Sequence, residues 1–205
     1  MGKLTVTTFV TLDGVMQGPG GPDEDRRDGF THGGWVVPYF DDALGAFVVD
    51  VFSRVDAFLL GRFTYDTFAA HWPRVTDPND PIAAKLNALP KHVASRSMRE
   101  ASWNASSVIQ GDVVEAVAAL KKQYARELQV HGSAGLLQTL LRSDLVDELN
   151  VMQFPIVLGT GKRLFEPSVA PSALSLARSS TSTTGVVMSV YRRVGKPSYG
   201  SFALE

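Results

Sequence analysis

Apolar and polar positions along this chain switch between a two-residue and a 3.6-residue repeat. Lys3 to Thr11 alternates and is rich in β-branched residues, which predicts a first strand. Residues 13–34 break the pattern with Gly, Pro and Asp. They predict a long loop, and loops of that length in a compact domain usually serve function. Leu44, Phe47, Val48, Val51 and Phe52 then fall on one helical face, in a helix capped by Asp41 or Asp42 and ending near Ser53. Ala57 to Leu60 is wholly apolar, as a strand covered on both faces should be, and a helix follows from Arg62 to about Ala69.

Beyond a turn cluster at Asp77 to Pro81, Ile82, Leu86 and Leu89 predict a short helix. Strands follow at Lys91 to Ala94 and Ser106 to Ile109. Asp112 with Glu115 three residues on has the form of a capping box, opening a helix whose core face is Val113, Val117, Leu120 and Tyr124. Leu128 to His131 and Leu149 to Val157 are predicted strands. Leu174 to Thr183 and Val186 to Arg193 flank Thr184-Gly185 as a closing hairpin. Strands alternating with helices, then antiparallel strands, predict an α/β fold in three αβα layers: a mostly parallel sheet with an antiparallel C-terminal hairpin. No linker or repeat divides the chain, so residues 1–205 are expected to form one domain with its core at about 3–194.

The chain has 205 residues, sufficient for one good core, and a 44% apolar share typical of a soluble globular domain. A formal net charge of −1 gives no overall field for a nucleic acid. No run reaches the roughly 20 apolar residues that span a bilayer, and no basic segment precedes an apolar one at the start. There is no cysteine, which rules out thiol chemistry and thiolate metal sites, and the expected location is cytoplasmic. His32, His71, His92 and His131 show no ligand spacing, so no metal is expected.

The sharpest local signal is Val130-His131-Gly132-Ser133-Ala134-Gly135-Leu136-Leu137, where an apolar strand enters a Gly-Ser-Ala-Gly turn that opens a helix. Glycines let backbone approach a phosphate, and the free N–H groups of a first helical turn point at it. Gly61-Arg62-Phe63-Thr64 repeats the arrangement, with Arg62 able to fork onto a phosphate and Thr64 to bond a pyrophosphate oxygen. Ser95-Arg96-Ser97 follows a third strand, and two hydroxyls beside a guanidinium suit a terminal phosphomonoester such as the 2′-phosphate of NADP. Taken singly, Gly61-Arg62-Phe63-Thr64 fits a capped strand-to-helix turn with a solvated Arg equally well, and Ser95-Arg96-Ser97 fits an ordinary polar loop better. Three such turns at neighbouring strand ends suggest one phosphorylated cofactor. No Gly-x-Gly-x-x-Gly follows any strand, and Gly159-Thr160-Gly161-Lys162 lacks Walker spacing and reads as a tight turn. Asp13, in Thr11-Leu12-Asp13-Gly14, could bind or protonate a substrate or simply form an Asp-Gly turn. Trp35, Phe40, Trp72 and Phe154 could wall a flat substrate or belong to the core.

Taken together, these motifs resemble the dihydrofolate reductase-like superfamily. The match is nearer to the branch holding the riboflavin-biosynthesis reductase domain, known as the bifunctional deaminase-reductase C-terminal domain. The resemblance runs through Leu12-Asp13-Gly14, Leu60 to Tyr65, Lys91 to Ser97, Gly111-Asp112-Val113, His131 to Ala134, Leu145 to Leu149 and the more specific Pro155 to Phe165. It implies NADPH held along Gly61 to Thr64, Ser95 to Ser97 and Gly132 to Leu136. It also implies hydride transfer to a small heterocycle or carbonyl, as in 5-amino-6-(5-phosphoribosylamino)uracil reduction, and a homodimer. The chain lacks the His-x-Glu and Cys-x-x-Cys signature of the zinc deaminase domain that accompanies the reductase in true riboflavin enzymes. A folate reductase-like enzyme and a non-catalytic NADPH-binding or sensing module remain the alternatives. Asp13, with a pKa raised by desolvation in a closed pocket, is the expected proton donor, and Asp41 or Asp42 the second choice. Trp103 and Phe165 are the expected exposed aromatics of a dimer interface.

Overall fold

The computed structural model describes residues 2–167 and 169–202. Its elements follow the predicted alternation: β1 (Lys3–Thr11), α1 (Asp42–Ser53), β2 (Val55–Gly61), α2 (Arg62–His71), α3 (Pro81–Ala88), β3 (Lys91–Ala94), β4 (Ser106–Val108), α4 (Val113–Gln123), β5 (Glu127–His131), α5 (Ala134–Arg142), β6 (Glu148–Phe154), β7 (Ala173–Thr181) and β8 (Val187–Gly195). The strands form one eight-stranded sheet in the order β4-β3-β2-β5-β1-β6-β8-β7. Pairing is parallel from β4 to β6, and β8 and β7 join antiparallel at the β6 side. Among the described residues no helix is long and apolar enough to cross a membrane.

The two-residue repeat of each strand separates two cores. Leu4, Val6 and Val10 of β1 and Leu128 and Val130 of β5 point to the face covered by α4 and α5. Phe58 and Leu60 of β2 and Met152 and Phe154 of β6 point to the opposite face, under α1 and α3. On that second face β5 and β1 present polar side chains, which satisfy one another. Glu127 accepts from Arg54 at 2.8 Å and from Thr5 at 3.2 Å, and Gln129 donates to Glu127 at 2.7 Å and to the Val51 carbonyl at 2.8 Å.

Three helices start on aspartate. Asp41 accepts from the Leu44 N–H at 2.9 Å, Asp80 from Ile82 and Ala83, and Asp112 from Glu115. Asp41 also accepts from the Thr183 hydroxyl and N–H at 2.6 and 2.8 Å, which fastens α1 to the β7–β8 hairpin. The Thr183 hydroxyl and the Leu44 N–H stabilise its ionised form and pull the carboxyl down to about 2.

Several expectations are corrected. The predicted strand Leu149–Val157 ends at Phe154, where Pro155 removes a ladder donor, and Ile156 instead donates back to the Phe154 carbonyl. Trp103 is buried, not exposed. Its ring lies under Lys91, whose Nζ sits 4.5 Å from the ring centroid and donates to the Leu86 and Leu89 carbonyls at the end of α3. Lys91 is itself fully enclosed, and burial pulls its ammonium down to about 8. Gly159-Thr160-Gly161 is a tight turn, as expected. Gly161 has φ +115°, and a Cβ there would meet Val15 at 2.7 Å.

Candidate functional site

A cleft of about 1970 Å3 opens along the C-terminal ends of the parallel strands. Gly61, Arg62 and Thr64, then Ser95, Arg96 and Ser97, then Gly132, Ser133, Ala134, Gly135 and Leu136 all line it. The order β4-β3-β2-β5 sets these turns beside one another, and side chains stitch them together. The Ser133 hydroxyl accepts from the Gly61 N–H at 2.8 Å and donates to the Thr64 hydroxyl at 2.7 Å. On the other side, Arg62 donates to the Ser97 hydroxyl at 2.7 Å and pairs with Asp66 at 3.3 Å.

α2 and α5 differ from the three aspartate-capped helices, since neither Gly61 nor Ser133 caps its helix through a side chain. The first N–H groups of both are left for a partner in the cleft. Ser133 holds a left-handed backbone, φ +65°, unusual for a residue other than glycine, because its hydroxyl is committed to the neighbouring turn. Gly132 before it has φ +61°, and a Cβ there would meet nothing nearer than the Thr64 hydroxyl at 3.6 Å. This turn therefore needs glycine for its dihedral angle more than for space. Arg96 stands exposed at the lip. Two open helix N-termini and a neighbouring guanidinium form a cradle that fits a pyrophosphate with a further phosphate.

The cleft continues past β5 to β1 and β6, and sequence reasoning did not find most of this part. Thr7, Thr8 and Phe9 of β1, Met152 of β6, Val48 and Phe52 of α1 and Phe63, Thr67 and Phe68 of α2 line it, as do Phe40 and Trp72. The long loop closes the rim through Met16 to Gly20, Glu24, Asp25 and Arg27, joined by Lys162. The loop's length was the available signal; which of its residues face inward depends on tertiary hydrogen bonds. Gly34 donates to the Gly18 carbonyl at 2.8 Å, Val36 to Pro19 at 3.2 Å and the Trp35 indole to Gln17 at 2.8 Å.

Two substrate-wall candidates are not part of the cleft. Trp35 is buried and Phe154 is completely so; their rings meet edge to face at 5.2 Å within the core. Asp13 is not among the cleft residues either. Its carboxylate accepts from the Thr11 hydroxyl at 2.6 Å, the Gly159 N–H at 2.9 Å and the Leu158 N–H at 3.2 Å. Arg163 binds both its carbonyl and, at 3.4 Å, its carboxylate. Burial tends to raise this carboxyl, but the hydrogen bonds from Thr11, Gly159 and Leu158 outweigh it, and the pKa falls below its ordinary value. The expected rise is thus reversed, because Asp13 latches the Gly159 turn to the end of β1. Asp41 is occupied in the same way by α1 and the hairpin.

Two cleft residues have distinctive titration. His131 at the end of β5 packs at a tilt against Phe52, ring centroids 4.6 Å apart, and bonds Gln129 at 3.0 Å; burial pulls it down to about 3, so it is neutral near pH 7. Glu24 moves the other way. Burial raises it, the Gly20 and Gly21 N–H groups partly offset that, and the adjacent Asp25 charge adds to the rise.

Comparison with known proteins agrees with this fold. A Bacillus subtilis (strain 168) protein, YyaP, is 29% identical over 191 residues, 92% of this chain and 94% of its own. Among solved structures, a Shewanella sp. PV-4 protein assigned to riboflavin biosynthesis superposes with a TM-score of 0.65 at 21% identity, covering 93% of this chain and 98% of that one. A pyrimidine reductase-like protein from Corynebacterium diphtheriae gives 0.63 at 14%, covering 94% and 92%. The Thermotoga maritima diaminohydroxyphosphoribosylaminopyrimidine deaminase/5-amino-6-(5-phosphoribosylamino)uracil reductase gives 0.61 at 16%; 94% of this chain matches 56% of that longer protein. These likenesses show the shared fold. The family model of the RibD C-terminal domain matches residues 2–188, nearly all of the sheet and every turn of the cleft, and the chain belongs to that family.

Proposed function

We propose that the protein is an NADPH-dependent reductase that transfers a hydride to a small heterocyclic or carbonyl compound. The observation that carries this reading is the pair of uncapped helix N-termini, on α2 and α5, tied together by Ser133 and flanked by Arg96 in one cleft. The relatives support it: one is named a pyrimidine reductase-like protein and another a uracil reductase. Gly61, Thr64 and Gly132 to Leu136 would hold the pyrophosphate, and Ser95, Arg96 and Ser97 the 2′-phosphate. NADPH, when bound, supplies the hydride; the protein supplies orientation and exclusion of water. Arg62 supports Ser97 from the neighbouring turn.

The test is cofactor discrimination. Fluorescence titration is expected to show NADPH binding more tightly than NADH. Arg96→Ala should remove about one to two decades of NADPH affinity, the worth of a charged hydrogen bond of roughly 1.5–3 kcal/mol, and leave NADH unchanged. Equal affinity of the unaltered protein for both cofactors overturns the assignment.

A further inference from the structure

The half of the cleft beyond the phosphate turns has chemistry of its own. Its walls are Phe9, Phe40, Phe52, Phe68, Trp72 and Met152. Phe40 remains 51% exposed and the neighbouring Val37 61%, a large apolar surface left in water inside a concavity. The two cations of the loop rim, Arg27 and Lys162, are already matched, while Arg96 and Arg99 line the same cleft toward the phosphate turns. Arg27 donates twice to Asp25, at 2.7 and 2.5 Å, and its guanidinium lies 3.7 Å from the Phe63 ring centroid; Lys162 faces Asp25 at 3.6 Å and Asp28 at 3.4 Å. Glu24 differs: it accepts from the Gly20 N–H at 2.5 Å and has no ion-pair partner among the described residues. Glu24 and Gly20 line the same cleft as the apolar wall, and Pro19 beside Gly20 accepts from Val36.

We infer that the compound bound beside the cofactor is a flat, apolar ring that is neutral or carries a positive or N–H-donating group. An anionic group placed against the Glu24 side of the loop is disfavoured. An anionic group set against the loop would face the Glu24 charge, whereas the phosphate turns on the other side are built for anions. Aromatic walls reward a planar ring, and an unpaired carboxylate in partial burial rewards an ammonium or ring N–H. This assignment of substrate class rests on the reductase reading for the meaning of the second half of the cleft, but its binding test does not need the cofactor.

The test uses three probes sharing one ring: tryptophol (neutral), tryptamine (cationic) and indole-3-acetate (anionic). Each is titrated at millimolar concentration into the full chain, with and without saturating NADPH, and followed by amide and methyl shifts in nuclear magnetic resonance spectra. Tryptophol and tryptamine are expected to shift Phe68, Trp72 and Met152, with tryptamine binding best. Indole-3-acetate should bind about tenfold more weakly than tryptophol, a like-charge penalty. Glu24→Gln should bring tryptamine and indole-3-acetate to within about twofold of each other. Preference for indole-3-acetate, insensitivity of the ranking to Glu24→Gln, or no shift at these residues with any probe overturns the inference. Failure of NADPH to bind, with the probe ranking intact, sinks the reductase reading alone.

Discussion

Asp13 illustrates how a carboxylate at a strand end takes on a structural role. Its oxygens accept from a hydroxyl and two backbone N–H groups, and Arg163 closes the ring. An Asn in its place keeps one acceptor oxygen but puts an NH2 against N–H groups. Asp13→Asn is therefore expected to lose about 1–3 kcal/mol of stability, the range for leaving such donors unmatched, while NADPH affinity is retained. Urea unfolding and cofactor titration on one preparation separate the two effects; lost affinity at unchanged stability would return Asp13 to the site. Glu24 has the opposite environment, raised by burial and by the Asp25 charge. Sequence reading could not rank these two carboxylates, because nothing local distinguishes an acid whose hydrogen bonds outweigh its burial from one whose burial outweighs its hydrogen bonds.

At the scale of elements, the helices divide into starts capped by a side chain and starts that are not. Asp41, Asp80 and Asp112 occupy the first N–H groups of α1, α3 and α4, and the starts of α2 and α5 remain open. Gly135 offers a clean probe, as a Cβ there would meet nothing within 4 Å and the residue lies in the first turn of α5. Gly135→Asp should stabilise the isolated helix start by about 0.3–1 kcal/mol, since a carboxylate complements the positive end of the helix. The same charge should repel the pyrophosphate and lower NADPH affinity by at least about tenfold. A melting temperature held or raised together with lost affinity supports the cradle; undiminished affinity removes α5 from it. Gly132→Val is a poorer probe, because φ +61° strains any β-branched residue and the variant would lose stability whatever its effect on binding.

For the whole molecule, the sheet ends on an unusual edge. β7 is exposed for nearly all of its nine residues and carries Leu174 at 40% and Leu176 at 55% exposure, with the adjacent β8 adding Val187 and Val194. Long open edges with apolar residues invite pairing with another strand. We propose that a second copy covers this edge, giving the homodimer that the family resemblance implies. Sedimentation at micromolar concentration should show a dimer, and Leu176→Lys should shift it to monomer with the cleft intact. A monomer from the unaltered chain refutes this.

The order and type of elements were legible in the chain, because each strand and helix must bury its own apolar stripe and the spacing of that stripe is local. β1, β3 and the start of α1 fall at the predicted residues. The turns that line the cleft were legible too, because glycine and hydroxyl residues at a strand-to-helix junction announce an open backbone. The tertiary structure alone decided what lies across from them. Trp35 and Phe154 became core and Phe40 and Trp72 cleft, although all four are aromatic, because the sheet and the 13–34 loop cover the first pair and leave the second at an opening. Asp13 became a latch because residues 145 or more positions away in sequence donate to it. Such contacts depend on where distant segments meet, which no local pattern of hydrophobicity encodes.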